Sequence, residues 1–126
     1  MTKVSWLVVV VSVSSNASRL PSIPGRPVAE CDRGIYVTVE WTRPEDDDEA
    51  ADVNGYVIRY SGIRDDDEFD PMDYGEVHVD SIETSFQFTH QLQQWTSYQF
   101  AVAATNRVGR GEFSEFSDIV ITWDGK

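Results

Sequence analysis

The sequence predicts an all-β fold, a sandwich of two antiparallel sheets built from seven strands. Three observations carry that expectation. Apolar residues recur at every second position in several separate runs, the pattern of strands with one face in a core. Turn-forming Gly, Pro, Asn and Asp stand mostly between those runs. No run of useful length shows the 3.6-residue period of an amphipathic helix.

Taken in order, the strands are expected near residues 27–31, 34–41, 54–61, 74–80, 84–89, 97–105 and 117–122. Before them, residues 18–26 form a linker whose prolines favour extended backbone. In the second strand, Ile35, Val37, Val39 and Trp41 alternate with Tyr36, Thr38 and Glu40, which gives one apolar face ending in Trp. The third contains Tyr56, Ile58 and Tyr60, with Val53 just ahead of it. The sixth reads Tyr98, Phe100, Val102, Ala104 on its apolar face. The turn chemistry of 106–111, Asn-Arg-Val-Gly-Arg-Gly, separates it from a last run with Ile119 and Ile121. The expected buried set is Ile35, Val37, Trp41, Tyr56, Ile58, Leu92, Tyr98, Phe100, Val102 and Ile119. Acidic loops follow the second and third strands: Glu45 to Glu49, and Asp65 to Asp70. The stretch from Ser61 to Asp73 reads as a long charged loop, and binding sites concentrate in loops.

A chain of 126 residues suits one domain, and 40% hydrophobic content supplies a two-sheet core. The net charge of −12 argues against nucleic acid, since phosphate binding needs a clustered basic face. It argues equally against an anionic membrane surface. Cys31 is the lone cysteine, so an internal disulfide is impossible. It reads as a small core residue or, in a secreted chain, as a thiol able to dimerise.

The first residues follow another logic. Lys3 precedes a run from Val4 to Val13 that is apolar except for Ser5 and Ser12, and a small polar stretch ends at Ala17. This is the layout of a secretory signal peptide over residues 1–17, cleaved after Ala17. The run is too short for a stable spanning helix, so the mature chain is not expected to insert in a membrane. Removal of Lys3 takes the charge from −12 to −13. The other reading is a β-rich tail of a preceding domain. The sequon Asn16-Ala17-Ser18 straddles the cleavage point and is expected to be unused.

No catalytic constellation stands out. His78 lies between Val77 and Val79, facing solvent from a strand, and His90 lies in a turn; neither is placed beside a nucleophile. There is no Gly-x-Ser-x-Gly elbow and no phosphate cradle. One Cys and two scattered His exclude a zinc site. The acidic runs lack the alternating spacing that wraps a loop around calcium, and solvated charge explains them. If they held an ion, Asp46, Asp48, Asp65 and Asp67 would be the candidates. No cofactor is expected.

The order of these pieces resembles a fibronectin type III domain over residues 27–123. The resemblance rests on the leading PSIPGRPV, Trp41 ending the second strand with Pro44 soon after, Tyr-x-Ile-x-Tyr at 56–60, and Leu92, Thr96 and Tyr98. It implies an immunoglobulin-like sandwich. It also implies a tyrosine corner, with the Tyr98 hydroxyl tied to upstream backbone, and Trp41, Tyr56, Leu92 and Tyr98 as structural residues. The Phe113-Ser114-Glu115-Phe116-Ser117 box is similar to the Trp-Ser-x-Trp-Ser box of class I cytokine receptors, whose rings stack with arginines of the neighbouring strand. Here that strand reads YQFAVAA, without arginine, and the box reads as an ordinary Gly-x-x-x-Ser ending. Arg110-Gly111-Glu112 is close to the integrin tripeptide, but its carboxylate is one methylene too far out.

The resemblance implies a non-catalytic recognition or spacer module; the chain is expected to be monomeric, with an unknown protein as partner. The first reading is an extracellular adhesion or receptor-type module, secreted or part of an ectodomain. The alternative is a structural, cytoplasmic module of a large muscle or cytoskeletal protein; a cytokine-receptor fragment comes third. Asp46, Asp48, Asp65, Asp67, Arg107 and Arg110 mark the loops that could meet the partner.

Overall fold

The computed structural model describes residues 19–45, 52–63 and 69–124, with 69–72 described through their backbone. The signal-peptide segment, the sequon, and Asp46, Asp48, Asp65 and Asp67 lie outside the described residues. The strands are β1 (Val28–Arg33), β2 (Tyr36–Glu40), β3 (Gly55–Ile63), β4 (Phe69–Val79), β5 (Ser85–Phe88), β6 (Ser97–Thr105) and β7 (Val120–Ile121). They form two sheets, β1-β2-β5 and β4-β3-β6-β7, with every pairing antiparallel. The fold is therefore an all-β sandwich of seven strands.

The alternation read from the sequence fills the space between the sheets. Val37 and Val39 face Tyr56, Ile58, Phe100, Val102 and Ala104 across one buried cluster. Trp41 and Tyr56 meet edge to face with centroids 5.2 Å apart, and Phe88 packs on Tyr60 and Phe100 at 5.6 and 5.3 Å. Such offset and edge contacts are the geometries aromatic quadrupoles favour. Ile35 is only half-buried at the β1–β2 turn.

Two expectations are corrected. The stretch from Ser61 to Asp73 is largely hairpin. β3 runs to Ile63, and β4 resumes pairing at Phe69 after a shift between Ser61, opposite Tyr74, and Gly62, opposite Asp70. The extra residues form a bulge that turns Asp73 into the interior, where it is 8% exposed. A charge-rich segment looks like a loop, and the bulge hides its pairing from a period-two reading.

The second correction is the last strand. Ile119 is 51% exposed, while Val120 and Thr122 are buried. Between residues 111 and 120 the backbone returns to β6 every third residue, not every second. Gly111 N–H donates to Ala104 O at 2.9 Å, Ser114 N–H to Val102 O at 2.8 Å and Ser117 N–H to Phe100 O at 2.7 Å, and then Val120 pairs with Tyr98. Gly111, Ser114, Ser117 and Val120 are buried, and the residues between them are half-buried or exposed. This is the three-residue period of a polyproline II backbone. Each step leaves a β6 N–H without a ladder partner, and serine supplies one: Ser114 Oγ accepts from Val102 N–H at 3.0 Å and Ser117 Oγ from Phe100 N–H at 3.1 Å.

Candidate functional site at the pole of the 106–110 turn

The chain enters the sandwich at one pole and leaves at the other. The entering pole gathers residues 19–25, the end of β2 with residues 41–45, and the turn after β6. Asn106 organises that turn. Its Oδ1 accepts from Val108 N–H at 2.8 Å and Gly109 N–H at 3.2 Å, its own N–H reaches Gly109 O at 3.0 Å, and its Nδ2 donates to Arg19 O at 2.7 Å. Asn suits this position because a short side-chain carbonyl can cap the amides two and three residues on. Gly109 takes φ 155°, which a side chain would resist. The turn thus presents Arg107 and Val108 outward on a fixed frame.

Beside it lies an open cleft of about 990 Å³. One wall is Leu20 to Gly25, the other Thr42, Arg43 and Glu45, and Arg110 to Glu112 complete it. The leading segment is held by Gly25 N–H on Thr42 O at 3.1 Å, and it presses so closely on Gly111 that a Cβ there would collide with the Pro21 carbonyl.

Arg110 belongs to a second arrangement on the outer face of the four-stranded sheet. Two guanidinium groups lie over the Phe113 ring, Arg59 at 3.8 Å and Arg110 at 4.5 Å from its centroid. Arg59 also lies 5.5 Å from the Tyr74 ring. Glu76 Oε2 holds both cations, Arg59 at 3.1 Å and Arg110 at 3.9 Å. Both arginines and the carboxylate are part-exposed, so the ladder positions groups more than it stabilises the fold.

The structure places the residues singled out from the sequence as follows. Trp41, Tyr56, Leu92 and Tyr98 are buried, at 5%, 1%, 4% and 0% exposure. Tyr98 Oη accepts from Gln93 N–H at 2.8 Å, one residue beyond Leu92. Arg107 and Arg110 both stand at the pole, and Arg110 joins the cleft to the ladder. Arg110-Gly111-Glu112 is not at the tip of the turn: Gly111 is buried and bonded to Ala104. His78 and His90 are both exposed. Among the described residues, no three His, Cys, Asp or Glu come together where they could hold a metal ion.

The ladder corrects the reading of the Phe-Ser-x-Phe-Ser box. Arginines do stack on its first ring, but they come from β3, one strand further away, and from the turn itself. Arg59 was visible as an outward position between inward Ile58 and Tyr60; its reach across β6 was not. The small side chains of Ala101 and Ala103 on that face leave the room. Asp73 and Glu76 had no local sequence signal.

Two antiparallel sheets of three and four strands, closed around one aromatic cluster, define an immunoglobulin-like sandwich. The sequence profile of the fibronectin type III domain matches residues 28–120, and the chain belongs to that family. The sidekick homologue of Caenorhabditis elegans is 30% identical over 100 residues, covering 79% of this chain and 4% of its own length. Striated-muscle M-protein of Gallus gallus is 29% identical over 101 residues, covering 80% of this chain and 6% of its own length. The chain thus spans a small fraction of the curated relatives it matches. Among solved structures, titin domains A168–A170 superpose with a TM-score of 0.66 at 25% identity, over 85% of this chain and 34% of that one. The FN5 domain of Drosophila Lar gives 0.63 at 24% identity, over 84% and 100%.

Proposed function

We propose that this chain is a non-catalytic protein-recognition module displayed outside the cell, secreted or as part of a receptor ectodomain. Its partner meets the pole of the 106–110 turn. The observation that carries the recognition reading is Arg110: one side chain lines the cleft, stacks on Phe113 and shares Glu76 with Arg59. A contact residue held this way loses little freedom on binding, which favours affinity. The display reading rests on the Lys3, Val4–Val13 and Ala17 layout.

The test has two parts. Expression in a secreting cell, followed by intact mass and N-terminal sequencing, should give a product in the medium beginning at Ser18. Retention with Met1 intact would overturn the export reading. Binding of the purified protein to cell surfaces should then fall at least tenfold with Val108→Asp. Equal binding by that variant would remove the pole as the contact.

A second reading has its own support. The likeness to striated-muscle M-protein and the unpaired Cys31 suit a structural module of a large intracellular protein. The retained, uncleaved chain is the outcome that favours it.

A further inference from the structure

Tyr74 stands on the outer face of the four-stranded sheet, 43% exposed and opposite Ser61. It lies in β4, an edge strand in the order β4-β3-β6-β7. One side of this strand pairs with β3, and the other has no partner strand in the sheet. An extended strand with such an edge can enter the cleft of another protein by adding to its sheet. The sequence around Tyr74 is charged with one sign. Residues 65–80 hold eight acids and no Lys or Arg, and neither occurs again until Arg107. The cation near the ring comes from another strand: the Arg59 guanidinium is 5.5 Å from its centroid. The Tyr74 hydroxyl donates to Glu76 Oε2 at 3.4 Å, at the surface.

Tyr36 is the natural comparison, because it is 44% exposed. It lies on β2, the middle strand of its sheet, paired with β1 on one side and β5 on the other. The equivalent span around it, residues 27–42, holds three acids and Arg33. Tyr56 and Tyr98 are buried, and Tyr60 packs part-buried against the core. Of the five tyrosines, Tyr74 alone combines exposure, an edge strand and an unbroken acidic flank.

We infer that Tyr74 is a sulfation site. An enzyme that transfers a sulfuryl group must hold a polyanionic nucleotide donor. Its cleft is therefore basic, and an acidic strand is drawn to it. A kinase shares that chemistry; the export reading selects sulfuryl transfer, because tyrosine sulfotransferases work in the lumen of the secretory route. The inference rests on that reading. In the step, the phenol oxygen attacks the sulfur of a sulfuric–phosphoric anhydride. An O–S bond forms as the bond from sulfur to the phosphate oxygen breaks. The nucleotide phosphate leaves with that electron pair, and the phenol proton passes to a base of the enzyme. Nothing is oxidised or reduced. The ester fixes a negative charge on a ring that already lies beside Arg59, so the new anion has a cation within reach on the same sheet face.

The test is tandem mass spectrometry of the chain made in a secreting cell, digested with and without phosphatase or mild acid. The Tyr74 peptide should carry the mass of one sulfuryl group, resist phosphatase and lose the group in mild acid. The Tyr36 peptide should carry it at least about tenfold less often, since the acidic flank sets the encounter. Tyr74→Phe should abolish it. Transfer from a labelled donor to the purified, unmodified chain by a tyrosine sulfotransferase should fall several-fold between low salt and about 0.5 M, where screening is strong. A chain in the medium that begins at Ser18 with Tyr74 unmodified would overturn the inference and leave export standing. A retained chain with Met1 intact would overturn both. A group removed by phosphatase would replace sulfation with phosphorylation. Equal modification of Tyr36, or transfer indifferent to salt, would overturn the acidic edge strand as the signal.

Discussion

The hydroxyl of Tyr98 joins two elements that the sequence keeps 25 residues apart: it donates to Asp73 Oδ2 at 2.7 Å and accepts from Gln93 N–H at 2.8 Å. The usual corner ties its tyrosine to backbone alone. Here the β4 bulge adds a buried carboxylate. Tyr98→Phe removes both bonds and leaves Asp73 and Gln93 N–H without that partner. Unmet buried groups cost about 1–3 kcal/mol each. The expected loss is on the order of 2–4 kcal/mol in urea unfolding. The double variant Tyr98→Phe with Asp73→Asn should lose less than the two single losses added, because the pair is coupled.

The same pair sets an alkaline limit. Burial raises the Tyr98 pKa well above the ordinary tyrosine range, and the bond to Asp73 and its charge add to this, while Gln93 N–H pulls the other way. The folded chain keeps the phenol proton where the unfolded chain releases it. The contribution to stability is therefore complete below the unfolded value of about 10 and declines as pH rises beyond it. Urea midpoints measured between about pH 8 and 12 should fall above pH 10, by at most about 1.4 kcal/mol per pH unit from this group. Tyr98→Phe should show a shallower fall.

Ser114 and Ser117 do the work of missing ladder acceptors. Replacing either with Ala leaves a buried β6 N–H, of Val102 or Phe100, without its side-chain acceptor. Each should cost about 1–3 kcal/mol. Hydrogen exchange should show that N–H losing protection first. Ser→Thr, which keeps the hydroxyl, should restore most of it.

Most of the sandwich was legible because its inner strands alternate cleanly. Val37, Val39, Tyr56, Ile58, Phe100 and Val102 each face the core in the register that a period of two assigns. The reading failed where the period changed. Ile119 looked like a core residue beside Ile121, but the segment steps by three and Val120 takes its place. The pattern was present: Gly111, Ser114, Ser117 and Val120 repeat with small or apolar side chains, while Glu112, Glu115 and Asp118 repeat as acids. The site was less legible, because Arg59, Tyr74, Glu76 and Phe113 converge from three segments only once the sheet is built. Arg107 and Arg110 were expected in a loop because turn chemistry marks one whatever lies around it, and both stand at the pole.

Cys31 is expected to react slowly. Burial raises its thiol pKa and nearby Asp32 adds to this, against hydrogen bonds involving Trp123 and the Arg33 backbone. Its Sγ lies 3.3 Å from Gly34 O as a donor. The thiolate is the reactive form, so alkylation of the native chain at pH 8 should be slower than of the urea-unfolded chain, on the order of tenfold. Trp123→Ala opens the neighbourhood and should narrow that difference.

The Arg59–Phe113–Arg110 ladder yields the sharpest separation between fold and site. Cation–π contacts at part-exposed positions contribute about 0.5–1 kcal/mol each. Phe113→Ala removes two of them together and should cost about 1–2 kcal/mol in unfolding experiments. Phe113→Leu keeps apolar bulk without the ring face, so the difference between the two variants isolates the packing. A double-mutant cycle of Arg59→Met with Phe113→Leu should show a coupling of about 0.5–1 kcal/mol. No coupling would mean that Arg59 is held by Glu76 and Tyr74 without help from the Phe113 ring. The ladder also fixes Arg110 at the cleft, so Phe113→Leu should weaken partner binding while Arg107 and Val108 remain in place. A binding loss in that variant with little loss of stability is the signature expected of a positioning residue.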